Sequence, residues 1–138
     1  MNISWDQQVE LCKYFRFERL KQLVAEEQNP VERDVILTST FFILDTVVKA
    51  SYRRTLRWGE LHLDYLASHS GLPPPQRTPR SDKLRRMAII YDGEGMLERA
   101  LAICDLAQSY GINEDGTRGG FPGRRRRLEA RRKAAATK

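Results

Sequence analysis

Residues 29–57 read NPVERDVILTSTFFILDTVVKASYRRTLR, and this stretch decides the fold. Asn29 is a residue type that caps helices, and Pro30 suits the first helical position. The middle of the stretch is apolar on nearly all sides of a helix, as in helices buried within a bundle or between subunits. Its β-branched residues would also suit a strand, but the capping signal and the length favour one long helix over 30–57. The sequence therefore predicts an all-α, long-helix bundle.

Helical signals flank this segment on both sides. Ser4 and the apolar spacing that follows it predict a first helix over about 5–27. Gly59 is expected to end the long helix. Ser81 is expected to begin a later helix, and Gly111 to end the last one of the body.

The composition changes after residue 111. Glycine and charged residues dominate 112–138, and such a segment buries too little apolar surface to fold alone. We therefore expect a helical domain over 1–111 and a disordered, basic tail over 112–138. The basic run of the tail is typical of a nuclear or nucleolar localisation signal, or of a nonspecific nucleic-acid-binding arm. The tail bases are Arg124, Arg125, Arg126, Arg127, Arg131, Arg132 and Lys133.

The charge distribution is uneven. The chain has 138 residues, with 24 Lys or Arg, 18 Asp or Glu and a net charge of +6. Residues 112–138 hold nine bases and three acids, so residues 1–111 are neutral as a whole. Within the body, residues 49–86 also hold nine bases and three acids, and the parts on either side are acidic. Positive charge is therefore concentrated in the middle of the body and in the tail.

The bases of the body form two candidate binding clusters. Lys49, Arg53 and Arg57 are spaced i, i+4, i+8, which places them on one face of the predicted long helix, with Arg54 beside them. Ser51 and Thr55 would add hydroxyl groups to this face. A second cluster follows in and after the proline-containing loop: Arg77, Arg80, Lys83, Arg85 and Arg86. The alternative is that such bases are solvated, or complement the dipole at the end of a helix.

Enzyme signatures are missing from the sequence. No glycine-rich phosphate loop follows a strand pattern, and His62 and His69 have no acid or cysteine spacing that completes a metal site. We therefore expect no catalysis, no cofactor and no metal. No apolar run is long enough to cross a membrane, and the first residues lack the features of a secretory signal. Cys12 and Cys104 stand among apolar residues, which indicates buried thiols and a reducing, intracellular compartment.

Nucleic acid is the partner that these basic clusters favour. Arg and Lys contacts to phosphate supply affinity without sequence information, and A-form RNA is recognised largely through its shape and backbone. No zinc-finger or sheet-type RNA-binding signature is present. The sequence therefore predicts a helix that reads the backbone of double-stranded RNA.

The order of the elements resembles that of the small double-stranded-RNA-binding suppressors of RNA silencing made by nodaviruses. The resemblance covers residues 5–91 and rests on NPVERDV at 29–35, KASYRR at 49–54 and KLRR at 83–86. It implies an antiparallel homodimer that behaves as a four-helix bundle and lies along one face of an RNA duplex. It also implies a viral protein that sequesters duplex RNA in the host cytoplasm, or in the nucleus or nucleolus through its tail. The backbone contacts carried over are Lys49, Arg53, Arg54 and Arg57.

Two other functions stay open at this point. The chain would suit a helical DNA-binding regulator, in which Arg85, Arg86 and the tail contact DNA. It would also suit a protein-interaction adaptor, whose basic tail serves only as a localisation signal.

Overall fold

The computed structural model describes residues 3–68 and 78–137, and there the chain is helical throughout, with no strand. This confirms the all-α class. The chain forms two compact units, Met1–Arg77 and Thr78–Lys138. The division differs from the predicted one at residue 111, because the expected tail belongs to the second unit.

The first unit, over its described residues 3–68, contains four α-helices and a π-helical segment. In chain order these are α1 (Trp5–Lys13), α2 (Phe17–Glu26), α3 (Pro30–Phe42), the π-helical segment (Ile43–Val47) and α4 (Tyr52–Ser68). The predicted caps are present: Ser4 forms a capping box with Gln7, and Asn29 Oδ1 accepts the N–H groups of Val31 and Glu32.

The predicted helix over 5–27 is two helices, and the long helix over 30–57 is also interrupted. Phe15, at φ 46°, lies between α1 and α2, and Lys49, at φ 50°, lies between the π-helical segment and α4. Within the π-helical segment, the Thr46 hydroxyl donates to the Phe42 carbonyl oxygen over 2.9 Å. Such a bond competes with the regular helical ladder. Gly59, the expected end of the long helix, is buried inside α4.

The core of the first unit lies where α3 meets α1, α2 and α4. The Trp58 indole N–H donates to the Leu37 carbonyl oxygen over 2.9 Å, which ties α4 to α3. The Gln8 amide donates to the hydroxyl oxygens of Ser39 and Thr40, which ties α1 to α3. The buried indole and amide groups therefore each have a partner on a neighbouring helix, as burial requires.

The second unit, over its described residues 78–137, is built from three helices. They are α5 (Ser81–Gly93), α6 (Leu97–Ser109) and α7 (Gly120–Ala136), and α6 packs against both of the others. The starts and ends predicted from Ser81 and Gly111 are confirmed.

Helix α7 lies in the segment that the composition predicted to be disordered. The reason is that it is not isolated: Phe121 and Leu128 are buried, and α7 packs along α6. Two fully buried side chains of this size supply about 1.5–3 kcal/mol each, an apolar contribution that averaging over 112–138 conceals.

Both cysteines are buried, as predicted, Cys12 in the first unit and Cys104 in the second. Burial raises the pKa of the Cys12 thiol to about 12 and that of Cys104 to about 11. None of the helices within residues 3–68 and 78–137 has the length and hydropathy of a membrane span.

A close backbone approach fixes the start of α7. Gly120 has φ 61°, and the Phe121 N–H donates to the Asn113 carbonyl oxygen over 2.7 Å. A β-carbon at position 120 would overlap that same carbonyl group. Only glycine therefore fits here, both by its backbone conformation and by the space available.

We predict that Gly120→Ala destabilises the second unit by more than the roughly 1 kcal/mol that a positive φ alone costs a non-glycine residue. Gly116→Ala is the matched control, because Gly116 has φ 80° but no neighbouring atom within 4 Å of an added β-carbon. Urea unfolding followed by circular dichroism measures both variants. Equal decreases in stability in the two variants would contradict the close approach at residue 120.

Candidate nucleic-acid interface

The first basic cluster lies at the beginning of α4 rather than at the end of a long helix. Arg53, Arg54 and Arg57 are exposed on the first two turns of α4. Lys49 is exposed too, but it precedes the helix, so the predicted i, i+4, i+8 row is wrong at its first member. We call Arg53, Arg54 and Arg57 the α4 cluster.

Two side chains of the α4 cluster stack on aromatic rings from the α1–α2 junction. The Arg57 guanidinium carbon lies 4.1 Å from the centroid of the Phe17 ring, and the Arg54 carbon lies 5.1 Å from that of Phe15. Phe17 in turn packs edge-on against the buried Trp58, with ring centroids 5.5 Å apart. Cation–π contacts of this kind attract each guanidinium to a ring without using its N–H groups, which can still donate hydrogen bonds to a ligand.

This aromatic support does not follow from the sequence pattern. Residues two apart on a helix point about 200° away from each other, so Phe15 and Phe17 do not share a face in a continuous helix. The positive φ of Phe15 breaks the helix, and the two ring centroids come within 5.3 Å. The only signal in the sequence for this pair of rings was the Phe-Arg-Phe spacing at 15–17. That spacing brings the two rings together only if the helix breaks at residue 15.

The direction of α4 excludes the alternative that its arginines complement the dipole at the C-terminal end of a helix. Helices favour acids in the first turn and bases in the last. In α4 the first turn has no acid and contains Arg53 and Arg54. The dipole therefore opposes these charges instead of accounting for them. Among the described residues, no carboxylate forms an ion pair with Arg54 or Arg57.

The two hydroxyl groups expected on this face have other roles. The Ser51 hydroxyl accepts the Arg54 N–H over 3.4 Å, at the position of an N-cap. Thr55 is fully buried, so it does not face a ligand.

The second predicted cluster is dispersed. Arg77 lies outside the described residues. Arg80 binds Asp82 through two hydrogen bonds of 3.1 Å, and Lys83 is buried. On α5, Arg86 is exposed and Arg85 is half-buried. Arg80, Lys83, Arg85 and Arg86 belong to the second unit, whereas the α4 cluster belongs to the first.

Four of the seven tail bases bind carboxylates of the second unit. The donor–acceptor distances are 2.9 Å for Arg124–Asp115, 2.6 Å for Arg125–Asp105, 2.6 Å for Arg131–Asp92 and 3.0 Å for Arg132–Glu98. The other three bases, Arg126, Arg127 and Lys133, are exposed and form no ion pair with any described residue.

Asp115 is the one acid of this set whose carboxylate is fully buried. It accepts hydrogen bonds from the Thr117 backbone N–H, the Thr117 hydroxyl and Arg124 Nε. Burial by itself raises the pKa of this carboxyl group, but the bonds from Thr117 and Arg124 outweigh it, and the pKa lies below its ordinary value. Asp115 is therefore charged in the folded protein.

The described residues show no group of three or more His, Cys, Asp or Glu side chains that could hold a metal ion. His62 is buried, with Nε2 at 3.3 Å from Asp34 Oδ1, and His69 lies outside the described residues. The candidate interface of the first unit, the α4 cluster, consists of arginine side chains, whose chemistry is the binding of anions.

Comparison with known proteins gives no match: no family model fits the chain, and no curated protein or solved structure is significantly similar to it. The resemblance to the nodavirus suppressors therefore stays a prediction.

We predict that the second unit loses stability as the pH falls below about 4, the ordinary range of an aspartic acid. A carboxyl group whose pKa is lowered in the folded state stabilises it above the unfolded-state pKa, and that contribution disappears as the pH falls through the folded-state value. Asp115→Asn should reduce stability at pH 7 and weaken this acid dependence. Thermal unfolding of both proteins between pH 7 and 2 measures the effect.

The exposed neighbour Glu114 provides the control, since Glu114→Gln should leave both the stability and its acid dependence nearly unchanged. An Asp115→Asn variant with the wild-type pH profile would show that the carboxylate does not stabilise the unit.

Proposed function

We propose that the protein is a non-catalytic nucleic-acid-binding protein that sequesters double-stranded RNA and thereby suppresses RNA silencing. The α4 cluster is the proposed contact surface. It would bind the phosphate backbone, so that the shape of the duplex, and not its base sequence, is recognised.

The observation that carries this proposal is the unfavourable placement of the α4 cluster. Arg53 and Arg54 occupy the first turn of α4, where the helix dipole opposes a positive charge and a bound anion would offset that opposition, and Arg57 lies one turn further along the helix. The first turn of a helix also favours an anion through its backbone N–H groups, so basic side chains in that turn add to an anion-binding tendency that the helix already has. Residues that oppose local stability are expected at functional sites.

The choice of double-stranded RNA rests on the resemblance to the nodavirus suppressors. A DNA-binding regulator would use the same phosphate contacts, and competition between duplexes separates the two functions. An adaptor function would leave the α4 cluster without a nucleic-acid ligand. The proposed site of action is the host cytoplasm, or the nucleus or nucleolus if the basic run on α7 acts as a localisation signal.

The proposal includes a homodimer, which is supported by the exposed face of α3. Val31, Val35 and Phe42 are between 40% and 52% exposed. With Thr38 between them, their spacing of four, three and four residues is that of a helix–helix seam. Glu32 and Asp34 flank the N-terminal end of this seam and Asp45 its C-terminal end, so the antiparallel arrangement rests on the resemblance to the nodavirus suppressors.

We predict that Arg53→Glu combined with Arg54→Glu weakens binding of a labelled 20-base-pair RNA duplex at least about 100-fold near physiological salt. The fold should remain intact, because acids suit the first turn of α4 and exposed substitutions cost under about 0.5 kcal/mol. A fluorescence titration with single-stranded RNA and duplex DNA as competitors measures affinity and preference. The full chain is used, since truncation at residue 111 would remove α7 from its own unit.

The charge-matched control is Lys13→Glu combined with Arg19→Glu, which alters two exposed bases of the same unit outside the α4 cluster. It should change the affinity much less. Wild-type affinity in the α4 variant would disprove the contact surface, and tighter binding to duplex DNA would favour the regulator.

We also predict that light scattering at micromolar concentration gives about twice the chain mass of 16.0 kDa. Val35→Glu combined with Phe42→Glu should give the monomer mass, because charge on a buried apolar seam is costly. Ala25→Glu, on the exposed side of α2, should leave the dimer intact. A monomeric wild-type protein would contradict the dimer.

A further inference from the structure

The ion pairs of α7 sort its bases into two sets. The inward set consists of the four arginines that bind carboxylates of the second unit: Arg124, Arg125, Arg131 and Arg132. The outward set consists of the three that form no ion pair with any described residue: Arg126, Arg127 and Lys133. This separation is a property of the fold, since all seven look alike in the sequence.

Helical geometry explains the separation. Positions 126, 130, 133 and 137 fall within an arc of about 60° on a helix, and position 127 lies about 60° beyond the edge of that arc. The buried residues Phe121 and Leu128 lie on the opposite side. The outward set therefore spans about 120° of one exposed face, which we call the ridge, and Arg126 and Lys133 are about 10 Å apart along the axis.

The side chains within the ridge are small. Ala130, Ala134 and Thr137 are exposed between and beside the outward bases. Because these side chains are short, an extended polyanion can approach the helix backbone closely. The longer basic side chains on either side can then contact the charges of the polyanion. The surrounding unit favours such a ligand, because Thr78–Lys138 carries the whole net charge of +6 and Met1–Arg77 is neutral.

The composition of the ridge discriminates between polyanions. Helices that bind at a membrane surface combine bases with large apolar side chains that enter the acyl region. The exposed face of α7 has none, since its two large apolar side chains, Phe121 and Leu128, are buried. Exposed bases without apolar anchors suit a ligand whose charge is carried by a phosphate backbone.

We infer that the outward set on α7 is a second nucleic-acid-binding surface, which binds the sugar–phosphate backbone without sequence preference. It goes beyond the proposed function, because it lies on the other unit and requires neither the α4 cluster nor a dimer. The inward set acts as a positioning set: its ion pairs fix the rotation of α7 and so determine which bases face the ligand.

The test measures how the affinity for nucleic acid depends on salt. Removing one phosphate-binding side chain reduces the slope of log affinity against log salt by about 0.7–0.9. In the full chain, Arg126→Glu with Arg127→Glu should reduce the slope by about 1.5, which is roughly twice that amount. The reduction should be similar for 20-base-pair RNA and DNA duplexes, because these side chains read neither the base sequence nor the sugar.

The matched control is Arg99→Glu with Arg118→Glu, two exposed bases of the same unit that lie outside α7. It produces the same change in net charge and should alter the slope much less. Thermal unfolding of the outward variant should match that of the wild type, since its bases form no ion pair with the described part of the chain. Arg124→Ala, in contrast, should lower the melting temperature because it leaves the buried Asp115 carboxylate unpaired.

The same measurement in the Arg53→Glu, Arg54→Glu background separates this inference from the proposed function. If the α7 substitutions reduce the slope of log affinity against log salt in this background too, the second surface is supported, whether or not the α4 cluster binds nucleic acid. An unchanged slope in both backgrounds overturns it. Binding to vesicles of phosphatidylcholine and phosphatidylserine that depends on Arg126 and Arg127, without any binding of nucleic acid, overturns it as well and assigns the ridge to a membrane surface.

Discussion

The second unit depends on the pairing of α7 arginines with carboxylates that lie 9 to 39 residues earlier in the chain. Three of these pairs are exposed, and solvent and salt screen such pairs so strongly that each contributes little to stability. The Arg124–Asp115 pair is different, because the Asp115 side chain is fully buried and removing its partner leaves an uncompensated charge. The apolar contacts of Phe121 and Leu128 and the buried Arg124–Asp115 pair together hold α7 against its unit.

The two units treat their arginines in different ways. In the second unit, acids neutralise four guanidinium groups and leave a ridge of three bases exposed. In the first unit, Arg54 and Arg57 have aromatic partners instead of acids, and their charge is kept. Stacking on Phe17, which itself packs against the buried Trp58, limits the rotation of Arg57 without reducing its ability to donate hydrogen bonds. A side chain held in this way loses less entropy when it binds an anion.

Local signals in the sequence were sufficient for the fold class and for the starts of α1, α3 and α5. The caps at Ser4 and Asn29 depend on side-chain oxygens within three residues of the N–H groups that they accept, so they can be read directly. The interruptions at Phe15 and Lys49 could not be read, because neither is a residue type that signals a positive φ. Their conformations follow from the packing of the helices that they connect.

The sequence predicted the basic residues of the candidate site but not the aromatic side chains that contact them. Arg53, Arg54 and Arg57 were identified from their charge and spacing, but their aromatic partners are about 40 residues away and depend on the break at Phe15. Composition also placed α7 in a disordered tail. The acids that bind α7 are on α5, on α6 and in the loop that follows α6. Most of them lie outside residues 112–138, so the composition of that segment alone could not reveal the ion pairs.

The burial of Cys12 and Cys104 makes the fold indifferent to redox conditions. Burial raises the pKa of both thiols well above the ordinary value, so that little thiolate, the species that reacts with disulfides and oxidants, forms at neutral pH. The two cysteines also belong to different units. Each unit therefore keeps a single inert thiol, and its helices are held by packing and ion pairs that an oxidising or reducing environment leaves unchanged.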